Sequence, residues 1–192
     1  VASVLLYGLG AGPLARRLGL ASHDQEGTLV LGAGVVERTV ACALRDDGFD
    51  VVVATVNHND ERRARAEGLD TFYGNVLDEH VDLQLEMSGI GRLLALTPND
   101  EVNTLAARRL AGLFEHRQIH QLAPERPPAG VEGGAADLGG RILFEQELDY
   151  AELAARVRAG TIQRVHVDED FDPDAFRDRH GEDATPLWAV RD

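Results

Sequence analysis

The sequence predicts an α/β fold: a Rossmann-like, doubly wound parallel sheet with a small appended α+β module. Three observations carry that prediction. The apolar run at 28–31 meets Gly32-Ala33-Gly34 and then a helical pattern, which is how a dinucleotide-binding βαβ unit opens. The run at 51–56 is continuous and rich in valine, the composition of a strand buried on both faces. From 28 to 122, strand-period and helix-period segments alternate with short connections, as a parallel sheet covered on both sides requires.

In chain order, 28–31 is the first strand. The segment 35–47 follows as a helix with Val36, Val40, Ala43 and Leu44 inward, ended by Gly48. The second strand is 51–56, and 59–67 is a charged helix closed by Gly68. A short strand at 71–73 precedes a helix at 78–87 with Val81 and Leu85 inward. A fourth strand at 93–97 leads to a helix at 101–114, with Val102, Leu105, Ala106 and Leu110 expected inward, and 118–122 is a fifth strand. The right-handed crossover rule makes such a sheet doubly wound.

Residues 124–140 are rich in proline, glycine and alanine and read as a linker. The stretch 141–192 is expected to form a separate small unit: a strand at 141–144, a helix at 150–159, a strand at 161–167, a helix at 172–180 and a strand at 186–190. Asp172 and Pro173 supply a cap and a first helical position for the last helix. Residues 1–27 combine an apolar stretch, small residues and Pro13 with Arg16-Arg17. That is the pattern of a membrane helix leaving on the cytoplasmic side, or of an amphipathic helix packed on the domain.

Composition narrows the chemistry. The 192 residues carry a net charge of −14, which argues against a nucleic-acid surface. All basic residues other than histidine are arginine, so a P-loop lysine, a Schiff-base lysine and a lysine proton donor are excluded. The single cysteine, Cys42, rules out an internal disulfide and a cysteine-rich metal site; it falls on the first helix as a core thiol. The seven histidines are scattered without the spacing of a metal-binding helix, and no nucleophile motif is present.

The glycine turn supports phosphate binding only in part. In this turn the first glycine allows the bend, the second lets the backbone approach a pyrophosphate, and the third lets the helix pack closely. Gly32 and Gly34 supply the first two, but Glu37 stands at the third position. A carboxylate in the first helical turn is favoured by the helix dipole. Turned toward a ligand, it repels a diphosphate, and Arg38 offsets that only by folding back. The acid that normally takes the ribose hydroxyls about twenty residues on is also missing: Thr55, Val56 and Asn57 end the second strand.

The elements so placed resemble the RCK domain, or Trk-type NAD-binding domain. The resemblance rests on GAG at 32–34, NDERRARAEG at 59–68, YGNVLD at 73–78 and SGIGRLLALTPNDEVN at 88–103. More narrowly, the chain is similar to the cytoplasmic C-terminal part of monovalent cation:proton (Na+/H+) antiporters. VLLYGLGAGPLARRLGLA at 4–21 is similar to the end of their last transmembrane helix, and YAELAARV at 150–157 and HGEDATPLWAV at 180–190 to the module that follows.

The resemblance implies a nucleotide pocket lined by Gly32, Ala33, Gly34, Val35, Val36, Thr55, Val56, Asn57, Asn75, Val76, Thr97 and Asn99. It implies NAD(H) or AMP, ADP or ATP as ligand; the family's aspartates fall on Thr55 and Asn75, which argues against plain NAD and leaves an AMP-like ligand or an empty pocket. It also implies a homodimer, a transmembrane core in the same polypeptide, no nucleic-acid partner, and a place on the cytoplasmic face of the membrane. The expected function is regulatory and non-catalytic, with an assembly-only module and an NAD(P)-dependent oxidoreductase as alternatives.

Overall fold

A computed structural model describes residues 27–78, 81, 89–114, 118–125, 139–143 and 148–160. Six strands form one sheet: β1 (Gly27–Leu31), β2 (Val51–Thr55), β3 (Asp70–Tyr73), β4 (Ile90–Ala95), β5 (Ile119–Gln121) and β6 (Arg141–Ile142). Every neighbouring pair is parallel, in the order β3-β2-β1-β4-β5-β6. Four helices are described: α1 (Val35–Asp46), α2 (His58–Ala66), α3 (Asp100–Leu110) and α4 (Tyr150–Ala159). The doubly wound parallel sheet is therefore present as expected.

The period-2 alternation of the strands divides the core into two layers. Val30, Val53, Leu94, Leu96 and Leu122 pack on one face with Val36, Val40 and Leu44 of α1 and Ala64 of α2. Leu29, Leu31, Ala54, Leu93, Ala95 and Ile119 pack on the other with Val76, Val81 and Ala106, Ala107 and Leu110 of α3. Because β2 and β3 lie on one side of β1 and β4 to β6 on the other, the chain leaves β1 and β4 in opposite directions. A crevice opens between those two exits at the carboxyl ends of the strands.

β4 and α3 differ from the sequence reading. β4 begins at Ile90, three residues earlier than expected. Gly91 and Arg92 break the apolar run, yet Arg92 stays half-buried by donating to Gln118 Oε1 at 3.0 Å and Thr28 Oγ1 at 3.4 Å. On α3, Leu105 is exposed and Asn103 is buried. The helix starts from its cap at Asn99, which sets the buried stripe as Asn103, Ala106, Ala107 and Leu110, and Leu105 falls off it.

β6 and α4, expected in an appended unit, belong to this body. β6 pairs with β5 through His120 and Gln121, and Leu148 and Leu153 join the core layer that α1 covers. An interior position for Leu153 removes apolar surface from water that a free-standing α4 would leave exposed. The strands and helix expected at 161–167, 172–180 and 186–190, most of the helix at 78–87, and the segment 1–26 lie outside the described residues. Among those that are described, no helix is long and apolar enough to cross a membrane.

Candidate functional site

The loops after β1, β2, β3 and β4 leave the carboxyl edge of the sheet, and the twelve residues expected to line a pocket fall in or beside them. Gly32 takes φ +100°, a left-handed conformation that glycine adopts without a side-chain penalty. Its N–H donates to Ala54 O at 2.9 Å, so that donor serves β2. Gly34 is the N-cap of α1, with no side chain to cap it. Val35 is exposed, whereas Val36 and Val76 are buried in the two core layers.

Glu37 fills the space beside the uncapped turn. It is 2% exposed, and its carboxyl folds back onto the glycine turn. A Cβ at Gly32 would stand 2.6 Å from its Oε1, and a Cβ at Gly34 2.6 Å from its Oε2. The absent side chains of the two glycines thus make the space the carboxyl fills. Oε2 has no hydrogen-bond partner among the described residues. Burial pushes this carboxyl up to about 7, with Asp60 adding to the rise; the backbone N–H of Glu37, Arg38 and the backbone of Gly34 pull the other way. Arg38 does fold back, but onto the protein: Nη1 donates to Ala33 O at 2.7 Å and Nε to Glu67 Oε1 at 3.0 Å.

The remaining polar candidates cap their own turns. Thr55 Oγ1 accepts from the N–H of Asn57 at 3.1 Å. Asn57 caps α2 by accepting from Asn59 N–H at 2.9 Å, and Asn99 caps α3 by accepting from Val102 N–H at 3.0 Å. Asn75 Oδ1 accepts from Leu77 N–H at 3.0 Å. Each asparagine therefore spends its oxygen on backbone and keeps its NH2 as a donor. Val56 is fully in the open at 67% exposure.

Three further side chains bear on these turns, and of them the sequence points directly only to His58. Buried Asn103 locks the β4 exit, accepting from Thr97 N–H (3.0 Å) and Oγ1 (2.7 Å) and donating to Thr97 O (2.8 Å). His58 stacks on Tyr73 with ring centroids 4.0 Å apart and planes 9° from parallel, and its Nδ1 lies 3.2 Å from Glu61 Oε2. Tyr150, at the start of α4, comes within electrostatic reach of the turn: burial raises its hydroxyl pKa, and Glu37 adds to the rise. Asn103 has a local signal, since polar residues four positions after an N-cap can reach back to it; Tyr150 has none. Among the described residues no cluster of three or more metal-ligating side chains occurs.

This geometry is that of a Rossmann-type nucleotide-binding domain, with the crevice at the topological switch point. The sequence profile of the TrkA-N domain family matches residues 28–126, and the chain belongs to that family. Two solved structures share the fold. The NAD(P)-binding domain of an exopolyphosphatase-related protein from Archaeoglobus fulgidus is 15% identical, with 71% of this chain and 96% of that one covered at a TM-score of 0.53. The TrkA-N domain of the inner membrane protein ybaL from Escherichia coli is 16% identical, with 72% and 97% covered at 0.51. The GsuK channel bound to NAD is 20% identical over 73% of this chain and 26% of that one, at 0.49. No curated protein sequence matches the chain significantly.

In this structure the Glu37 side chain lies across the face of the glycine turn that a dinucleotide would approach. Its pyrophosphate needs the helix N-terminus and the close backbone approach that Gly34 permits, and the Glu37 carboxyl lies against both glycines.

Proposed function

We propose that this chain is the cytoplasmic regulatory domain of a sodium (or potassium)/proton antiporter, that it senses an adenine nucleoside or nucleotide, and that it works as a pair of identical copies. The observation that carries the reading is the set of asparagine-capped exits from β2, β3 and β4. Asn57, Asn75 and Asn99 follow the carboxyl ends of these strands, each with its side-chain oxygen held by a backbone N–H and its NH2 left as a donor. These groups bind and orient a ligand. Asparagine amides do not move protons at neutral pH, which supports a sensing role over a catalytic one. Membership of the TrkA-N family and the fold shared with a domain of an inner membrane protein support the transporter context.

Regulation of this kind is a coupling between two sites: the ligand favours one arrangement of the pair, and that arrangement favours one state of the transport core. Thermal-shift and sedimentation measurements with adenosine, AMP, ADP, ATP and NAD test the sensing half. The expected result is a raised melting temperature with at least one compound and a dimer in solution. Pairing without any thermal shift refutes sensing and leaves an assembly-only module. Turnover of a nicotinamide cofactor with any substrate refutes the regulatory reading in favour of an oxidoreductase. Ten or more hydrophobic spans encoded upstream of Val1 establish the antiporter, and their absence overturns it.

A further inference from the structure

We infer that Glu37 is the specificity-determining residue of this crevice: its own carboxyl occupies the phosphate seat of the glycine turn, so the site rejects diphosphates and takes a neutral, nucleoside-type ligand. The inference deepens the sensing reading above and rests on it.

Four observations carry it. The carboxyl oxygens of Glu37 stand 2.6 Å from where a Cβ would lie on each of Gly32 and Gly34, which is the space a phosphate uses when it lies on this turn. A carboxyl there stands at the positive end of α1, where a phosphate would. One backbone donor and the nearest cation are already engaged: Gly32 N–H with Ala54 O, and Arg38 with Ala33 O and Glu67. Oε2 is buried and has no partner among the described residues, so a second anion brought against the charged carboxyl meets repulsion.

The rest of the edge suits a ligand without phosphate. Asn57, Asn75 and Asn99 hold amide donors that match the acceptors of sugar hydroxyls and ring nitrogens. Val35, Val56 and Tyr73 are exposed apolar groups at the same strand ends, and the flat Tyr73–His58 stack extends that rim. Amide donors beside an apolar rim recognise a flat heterocycle carrying an uncharged sugar. A fold with an open turn recognises the diphosphate first.

The test is calorimetric titration of the whole chain and of Glu37→Gly with adenosine, ADP and NAD, each variant checked for native far-UV circular dichroism. Wild type is expected to bind adenosine at least tenfold more tightly than ADP or NAD. Glu37→Gly, which empties the seat, should gain at least tenfold for ADP and NAD and leave adenosine within threefold. Glu37→Ala serves the same purpose should the glycine variant not fold. Glu37→Gln, which keeps the seat filled but removes the charge, should gain clearly less for ADP than Glu37→Gly; binding equal to that of the glycine variant overturns occupancy of the seat. Wild type binding NAD as tightly as Glu37→Gly overturns the inference while leaving sensing intact. No response of any variant to any of the three compounds overturns both.

Discussion

Replacing Glu37 with glutamine should make the protein's stability less dependent on pH. The folded chain raises this carboxyl from 4.5 to about 7, chiefly by burial. The folded state then holds the proton more tightly than the unfolded state does. Stability therefore falls as pH rises through the window from 4.5 to about 7, and the whole penalty is present above it. At 1.36 kcal/mol for each pH unit of displacement, that penalty is about 3 kcal/mol. The charged and titratable groups set against Glu37 are Arg38, Asp60 and Tyr150, and all three remain in the glutamine variant.

The difference in unfolding free energy between the variant and wild type isolates the effect. Urea denaturation followed by far-UV circular dichroism at pH 5 and pH 8, in the same salt, should show that difference moving by about 2–3 kcal/mol in favour of glutamine. With a slope of about 1–3 kcal/mol per molar urea for a small domain, the relative midpoint moves by about 1 M or more. A difference constant to within about 0.5 kcal/mol between the two pH values refutes the buried carboxyl, and the seat it fills with it.

Gly34→Ala should cost about 1–3 kcal/mol through the clash with Glu37 Oε2 and cost close to nothing in a Glu37→Ala background, as a double-mutant denaturation cycle reads directly. Gly32→Ala should keep about 1 kcal/mol or more of its cost in that background, because φ +100° is strained for any side chain. Asn103→Ala removes three part-buried hydrogen bonds to Thr97 and should destabilise by about 2–3 kcal/mol in urea; a loss below about 0.5 kcal/mol contradicts the lock on the β4 exit. Leu153→Ala should cost about 2–5 kcal/mol if α4 is part of the main core. A loss under 1 kcal/mol would show α4 to be a separate attachment.

The site was legible wherever its chemistry is local. Asn57 and Asn99 stand just before helical patterns, and a side chain that caps a helix reaches only two or three residues along the chain. Gly32 and Gly34 announce the turn because a sharp bend between a buried strand and a helix needs them. The placement of Leu105 was misread because a helix's inward face depends on what it packs against, and the alternative stripe through Asn103 contains a polar residue that a hydrophobic count passes over. Arg92 hid the start of β4 for the same reason: its charge is satisfied by Gln118 and Thr28, one far along the chain on each side.

The sequence by itself determined the order of strands and helices, the doubly wound sheet and the position of the crevice, because backbone periodicity and crossover handedness are short-range constraints. It also posed the conflict at Glu37 without resolving it. Only the tertiary structure decided where that carboxyl lies, that β6 and α4 complete the sheet and its cover, and that Tyr150 stands near the turn. Those outcomes depend on space left between distant elements: the two missing side chains at Gly32 and Gly34 make a hole, and the packed helix directs the Glu37 side chain into it.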